Sequence, residues 1–427
     1  MKISVLLVIL SLFASACFAP QAQAQIPNVK TPNKNRSAKY KSAIVRGSGN
    51  LIWSNSLASF IGGGQSNTIG LVSGFGPWNA FNSVIAGGYG NTALRDYATI
   101  AGGAGNTVEG SGGTIAGGQN NKIVAPYAAI AGGIHNTNIG YAAAIAGGYQ
   151  NLATASGAAI GAGFHNLAAG SNSVVGGGLS NQTKVTGAQS AVLGGEANTA
   201  SGYRSVIGGG FNNETTGSLS AIPGGLGNSA TNFSFAAGRY AQAAHESSFV
   251  WGSQAGAVYT PTESFGANSF TVRCQGGVRF YTTANNTTGP RLAAGGTDWV
   301  ANSDSNLKTR VTAIDAREIL AKLSRLPVTE WEFKHKPNRR YIGPMAQDFR
   351  AIFGLGDDDT GIGTLDSDGV MYAAIQGLVE EIKLRDDKIA QLEARTREQE
   401  EKSKSGMDSL ESKLRAVEER LNLLPVR

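Results

Sequence analysis

The segment Ile85-Ala86-Gly87-Gly88-Tyr89-Gly90-Asn91 returns as Ile100-Ala101-Gly102-Gly103-Ala104-Gly105-Asn106, and near-copies start at Ile115, Ile130, Ile145, Ile160 and Val175. The closing asparagines, Asn91, Asn106, Asn121, Asn136, Asn151, Asn166 and Asn181, lie 15 residues apart. The series resumes at Asn198, Asn213 and Asn228 after one coil lengthened by two residues, and looser units begin at Ala236 and Val250 with a 14-residue step. A period of 15 is too short for a helical hairpin and matches a coil of two short strands and two turns. The chain is therefore expected to wind into a solenoid.

Each position in such a coil has a physical task. The aliphatic and alanine positions face a shared core, stacked on their equivalents above and below. The glycine pair permits positive φ or close backbone approach at a corner. Asparagine tolerates left-handed geometry, and its amide can bond the next coil's asparagine to form a ladder. With coils about 4.8 Å apart, thirteen recognisable units predict a rod of roughly 60 Å. A single roll leaves much apolar surface uncovered, so the pattern predicts oligomerisation.

On these repeats, residues 60–255 resemble the head of YadA-type trimeric autotransporter adhesins. The resemblance implies a mainly β fold, a left-handed parallel β-roll of 14–15-residue coils in a trimer. It leaves the ligand open: a host or matrix protein, or a glycan. Two departures are visible. Most repeats here have 15 rather than 14 residues, and the C-terminus lacks the membrane β-barrel that anchors those adhesins. Calcium-binding nonapeptide rolls need a recurrent Asp where this chain has Asn. Ice-binding solenoids would show a threonine ladder, which is absent. Strings such as Gly161-Ala162-Gly163 precede no amphipathic helix, so they are not phosphate loops.

Charge is divided unevenly. Lys30, Lys34, Arg36, Lys39, Lys41 and Arg46 crowd residues 26–49 without an acid, whereas residues 50–250 carry five charges of each sign. This basic stretch has only Tyr40 among its cations, unlike a nucleic-acid surface of interleaved basic and aromatic residues. A solvated linker is expected, with attraction to an anionic cell surface as the alternative. No nucleic-acid partner is expected. Residues 1–24 read as a secretory signal: Lys2, the apolar run Val5–Phe13, and the small-residue site Ala22-Gln23-Ala24. A lipoprotein signal at Cys17 is a weaker alternative, because Ala14 stands where a larger aliphatic residue is usual. Export to the cell surface or medium is expected. No later stretch is apolar over the ~20 residues a membrane helix needs. With Cys17 in the signal, Cys274 is left alone, which excludes an intrachain disulfide or a cysteine-based zinc site.

After about residue 256 the texture changes. Ser269-Phe270-Thr271-Val272-Arg273 and Val278-Arg279-Phe280-Tyr281-Thr282, joined through Gly276-Gly277, read as a β-hairpin. A helix is expected from Asp315 to Leu323, a strand over Val328–Phe333, and a final helix from near Met371. Ile375, Leu378, Ile382, Ile389 and Leu392 form a coiled-coil seam. Met407, Leu410, Leu414, Val417, Leu421 and Leu424 continue it in a shifted register. The polar places Thr396, Gln399, Ser403 and Gly406 between them predict a stutter or hinge.

Three motifs in order, Ser303-Asp304-x-x-Leu307-Lys308, Ile342-Gly343-Pro344-Met345-Ala346-Gln347-Asp348 and the closing helix, resemble the endosialidase-type intramolecular chaperone over about 301–395. The resemblance implies an α+β domain that trimerises, assists folding of a β-rich body, and then cuts itself off just before the serine. The residues allow that chemistry. A serine hydroxyl needs a base, and a lysine serves when burial lowers its pKa. Ser303 and Lys308 are five apart, so a turn could join Oγ to Nζ for attack on the Asn302–Ser303 bond. Asp304 and Tyr341 are candidate assistants. Tyr341 stands where the family often has His; if that side chain assists, the departure implies a slow or dead copy that still acts as a chaperone. On spacing alone, Ser303 reads as a cap on the following segment and Lys308 as a surface charge; the family motifs shift that reading towards catalysis.

Other constellations are weaker. His135, His165, His245 and His335 share no metal-ligand spacing. Asp357-Asp358-Asp359, Asp366 and Asp368 lack the closing Glu of an EF-hand. No metal or cofactor is expected. A tailspike-like glycan hydrolase would need paired carboxylates, and residues 50–250 offer only Asp96, Glu109, Glu196, Glu214 and Glu246. Of these, Asp96 and Glu109 are placed to meet on adjacent coils. The expected order is signal 1–24, basic linker 25–59, β-roll head 60–255, hairpin neck 256–300, chaperone 301–395 and coiled-coil tail 396–427. The expected protein is an exported homotrimeric adhesin-like fibre, with a phage-derived fibre carrying an uncut chaperone as the alternative.

Overall fold

The computed structural model describes residues 41–53, 56–70, 80–253 and 260–422. The chain forms two compact units, one ending at Val278 and one beginning at Arg279. The signal, most of the basic linker and Leu424 lie outside the described residues.

The first unit is a parallel β-solenoid. Short strands, two residues long until the last coils, alternate between a 16-stranded sheet, running from Ala43–Ile44 to Phe270–Arg273, and a 14-stranded sheet, running from Leu51–Ile52 to Thr262–Glu263. Equivalent residues stack in register: Ile100 on Ile115, Ile115 on Ile130, Ile130 on Ile145. In each such strand the first residue faces outward and the second is buried, so the isoleucines form one continuous core column. Burying one isoleucine side chain contributes roughly 1.5–3 kcal/mol, and each coil repeats the gain on its neighbour. Polar residues inside two coils are paired: Thr183 Oγ1 lies 2.7 Å from Ser173 Oγ, and Thr215 Oγ1 lies 2.7 Å from Ser205 Oγ.

The asparagine ladder runs unbroken from Asn50 to Asn228. Asn106 donates both its backbone amide (3.0 Å) and its Nδ2 (3.1 Å) to Asn91 Oδ1. Its Nδ2 also reaches the carbonyls of Gly102 and Gly118. The ladder asparagines are fully buried and do not adopt positive φ. The left-handed residue is instead the one before, such as Asn120, His135 or His165. The expectation that the ladder asparagine itself takes left-handed geometry is corrected; its amide makes it necessary, not its backbone. The second glycine of each pair is the other left-handed position, with Gly103 at φ 90° and Gly118 at φ 86°.

Three further expectations change. The solenoid begins at Ala43, inside the stretch expected to be linker, because Ile44, Asn50 and Ile52 already occupy the repeat positions. Longer first coils disguised them, with 17 and 24 residues separating Asn50, Asn67 and Asn91. The hairpin between 269–273 and 278–282 is not formed. Phe270–Arg273 pairs in parallel with Phe249–Gly252 as the last rung of the larger sheet, with Phe270 stacked on Phe249 at 4.8 Å. The hinge near 396–406 is also absent. One helix runs through it, because its Glu, Lys, Gln and Arg residues favour helix whatever the seam register.

The second unit starts with a three-stranded sheet that includes the antiparallel pair Arg291–Leu292 and Trp299–Val300. A 3-10 turn follows at Ser305–Leu307, then α1 (Ala316–Leu323), whose N-cap Asp315 accepts the amides of Arg317 and Glu318. An antiparallel hairpin, Thr329–Phe333 with Lys336–Gly343, leads to α2 (Ala346–Phe353), closed by left-handed Gly354. The 59-residue α3 (Thr364–Asn422) completes the unit. Leu326, Phe349 and Val370 form its small core, with Ile319, Leu323, Ile352, Phe353 and Ile362 packed around them. Helix α1 docks on α3, where Arg317 and Glu381 pair at 2.6 Å. No helix among the described residues is long and apolar enough to cross a membrane.

Candidate functional site

The 3-10 turn brings the first candidate residues together. Asp304 is extended and its Oδ1 accepts the Asn306 amide at 2.9 Å, which starts the turn. The Lys308 amide then donates to the Ser305 carbonyl at 3.2 Å, and Lys308 leaves in extended conformation. This reversal returns the lysine side chain towards its own start, and Lys308 Nζ donates to Ser303 Oγ at 2.7 Å. Asn302 is tethered separately, its Nδ2 donating to the Thr287 carbonyl at 2.9 Å. Asn302, Ser303, Asp304 and Lys308 are all exposed in the single chain.

A cleft of about 480 Å3 opens beside the Asn302–Ser303 bond, lined by Arg279, Thr287, Arg291, Val300, Ala301, Asn302, Ser303, Asp304 and Leu307. Asp304 thus has a structural task as turn cap and also borders the cleft. Tyr341 is elsewhere in the unit: its ring stacks on Trp331 at 4.8 Å, the Arg339 guanidinium lies 5.0 Å from its centre, and it does not line the cleft. Arg279 and Arg291 were not singled out from the sequence. They stand on different strands, and only strand pairing reveals that they share a site.

Residues 303–355 match the family model described as chaperone of endosialidase. The match begins at the serine held by Lys308. It supports a chaperone domain in the second unit and covers the 3-10 turn, α1, the hairpin and α2. No curated protein matches the chain.

The remaining candidates are occupied by structural tasks. Asp96 Oδ1 accepts the Phe81 amide at 2.8 Å, and Glu109 pairs with Lys122 at 2.8 Å. His135 and His165 each lie edge-on to Tyr149, and His245 Nδ1 is 2.8 Å from Ser264 Oγ. His335 rests against Phe333. Asp358 closes its own turn by accepting from the Thr360 amide, the Thr360 hydroxyl and the Gly361 amide, and the Thr360 bonds hold its carboxyl below the usual range. Among the described residues no group of three or more His, Cys, Asp or Glu is arranged to hold a metal ion.

Proposed function

We propose that the chain is a trimeric fibre protein, exported and adhesin-like, whose C-terminal chaperone domain drives assembly and is then released by self-cleavage at Asn302–Ser303. The observation that carries this reading is the Lys308 Nζ–Ser303 Oγ contact of 2.7 Å at the first residue of the chaperone match. In the cut, the Ser303 hydroxyl gives its proton to Lys308, and Oγ attacks the Asn302 carbonyl carbon.

A lysine acts as a base most readily when it is desolvated. Ser303 and Lys308 are exposed in one chain, so neighbouring copies would supply the cover and cutting would wait for assembly. Two apolar surfaces favour such copies. Along α3, Ile375, Leu378, Ile382, Ile389 and Leu392 are exposed at seam spacing, as are Met407, Leu410, Leu414 and Val417. On the solenoid, the outward column of the 16-stranded sheet, from Phe60 through Val84, Thr99, Thr114 and Ala129 to Phe270, carries no charged residue. The matching column of the 14-stranded sheet includes Lys122, Glu214 and Glu263. The uncharged column is the face assigned to the other copies, and the charged one to solvent or to a host protein or glycan.

Intact-mass measurement of the purified chain beside Ser303→Ala tests the reading. A fragment running from Ser303 to Arg427, present only in the wild type, is expected. An uncut wild type that elutes as a trimer would remove the enzyme and leave an uncut fibre of the phage type.

A further inference from the structure

Two guanidinium groups share the cleft with the bond assigned to cleavage. The Phe280 amide donates to the Pro290 carbonyl at 3.1 Å and the Thr282 amide to the Thr288 carbonyl at 3.1 Å. This antiparallel register sets Arg279 across from Arg291, and Arg291 in turn pairs with Val300, two residues before Asn302. Like charges directly opposite each other destabilise a sheet. Neither arginine makes an ion pair among the described residues; Arg279 reaches the Tyr281 hydroxyl at 3.4 Å, and its guanidinium lies 5.7 Å from the centre of that ring. No carboxylate among the described residues pairs with either of these cations, one on an outer strand and one on the central strand of the sheet. Their common feature is the Asn302–Ser303 cleft that both line.

We propose that Arg279 and Arg291 are the electrophilic half of the cleavage site, stabilising the negative charge that develops on the Asn302 carbonyl oxygen and then binding the Asn302 carboxylate. The proposal rests on the reading of Asn302–Ser303 as the bond that is cut. Lys308 takes the Ser303 hydroxyl proton while Oγ bonds to the Asn302 carbonyl carbon, and the carbonyl electron pair moves onto oxygen. When that pair returns, the carbon–nitrogen bond breaks and the Ser303 nitrogen takes the proton back from Lys308. Water then hydrolyses the ester, restoring the Ser303 hydroxyl and leaving a carboxylate on Asn302. Negative charge appears at the Asn302 carbonyl in both halves of the reaction, and preorganised cations there act without reorganising. The tether from Asn302 Nδ2 to the Thr287 carbonyl holds this residue against the segment that joins the first two strands.

The test follows the rate at which the Ser303–Arg427 fragment appears from full-length chain, for wild type, Arg279→Gln, Arg291→Gln, Arg291→Lys and Arg291→Gly. Removal of one charge donor slows such reactions about 100-fold, so each Gln variant is expected to cut slowly, with Arg291→Lys partly restored. Added guanidinium chloride at low millimolar concentration should speed Arg291→Gly and leave the wild type unchanged. A purely structural arginine would not give that rescue. Gln variants that cut at the wild-type rate, or an Arg291→Gly chain that guanidinium fails to speed, would overturn the proposal. A wild type that never cuts, indistinguishable from Ser303→Ala, would overturn the reading of the bond itself and this proposal with it.

Discussion

The Asn121 side-chain oxygen accepts both the backbone amide of Asn136, at 3.0 Å, and its side-chain Nδ2, at 3.1 Å. The Asn136 oxygen does the same for Asn151. Both rungs therefore cap two donors of the next, while the Asn136 and Asn151 Nδ2 groups bridge glycine carbonyls on either side. The solenoid is held by a buried chain of amides alongside its isoleucine column.

Asn136→Ala removes one link and leaves two groups unpaired. The Asn151 backbone amide loses its acceptor and the Gly132 carbonyl its donor, whereas Asn151 Nδ2 keeps the Gly147 and Gly163 carbonyls and the Gly148 carbonyl keeps the Ile134 amide. Buried groups left unsatisfied cost about 1–3 kcal/mol each, so a loss of about 3 kcal/mol is expected in chemical denaturation. A loss within the noise of a surface substitution would mean that the ladder is incidental.

Neighbouring glycines in one turn should respond in opposite ways. At Gly133, φ is 87° and a Cβ would run into the Gly148 carbonyl of the next coil. Gly133→Ala combines a disfavoured backbone with that collision and is expected to cost about 2 kcal/mol or more. Gly132 has no positive φ and open space around it, so Gly132→Ala should stay within about 0.5 kcal/mol of wild type. Thermal unfolding of the two variants side by side reads the contrast.

In the chaperone unit, Gly377 lets α1 approach α3. A Cβ there would meet the Ala316 carbonyl, and Gly377→Ala should cost roughly 1–3 kcal/mol as the helices are pushed apart. Gly406 on the same helix faces nothing. Gly406→Ala should raise helical stability by up to about 1 kcal/mol, seen as later loss of helical circular dichroism on heating.

The two residues offered as partners for Ser303 should separate cleanly. Lys308→Met removes the group 2.7 Å from the serine oxygen and is expected to abolish the Ser303–Arg427 fragment. Tyr341→Phe keeps the ring stacked on Trp331 and removes only a hydroxyl outside the cleft, so cutting should proceed at the wild-type rate. Fragment yield on a denaturing gel distinguishes them, and slow cutting by Tyr341→Phe would put Tyr341 back in the reaction.

Legibility followed the range of the interaction. The 15-residue period, the core column and the ladder were readable because each coil repeats its neighbour, so a local pattern and its packing partner carry the same sequence. Irregular first coils broke that period, and Ile44 and Asn50 went unrecognised although they do the same work. Alternation at Phe270–Arg273 marks a strand in either a hairpin or a solenoid rung, since strand periodicity says nothing about the partner. The five-residue spacing of Ser303 and Lys308 permitted contact without requiring it; the Asp304-capped turn decides it.

The sequence by itself determined a mainly β repeat architecture, the asparagine ladder, the serine and lysine of the candidate site, and a long apolar-seamed helix at the end. These are properties of period and of neighbours close in the chain. Tertiary structure alone decided that the neck strand belongs to the solenoid, that Tyr341 joins an aromatic cluster outside the cleft, and that Arg279 faces Arg291 beside Asn302. Those relationships depend on which strands pair, and pairing is set by the free energy of the whole sheet rather than by any one segment.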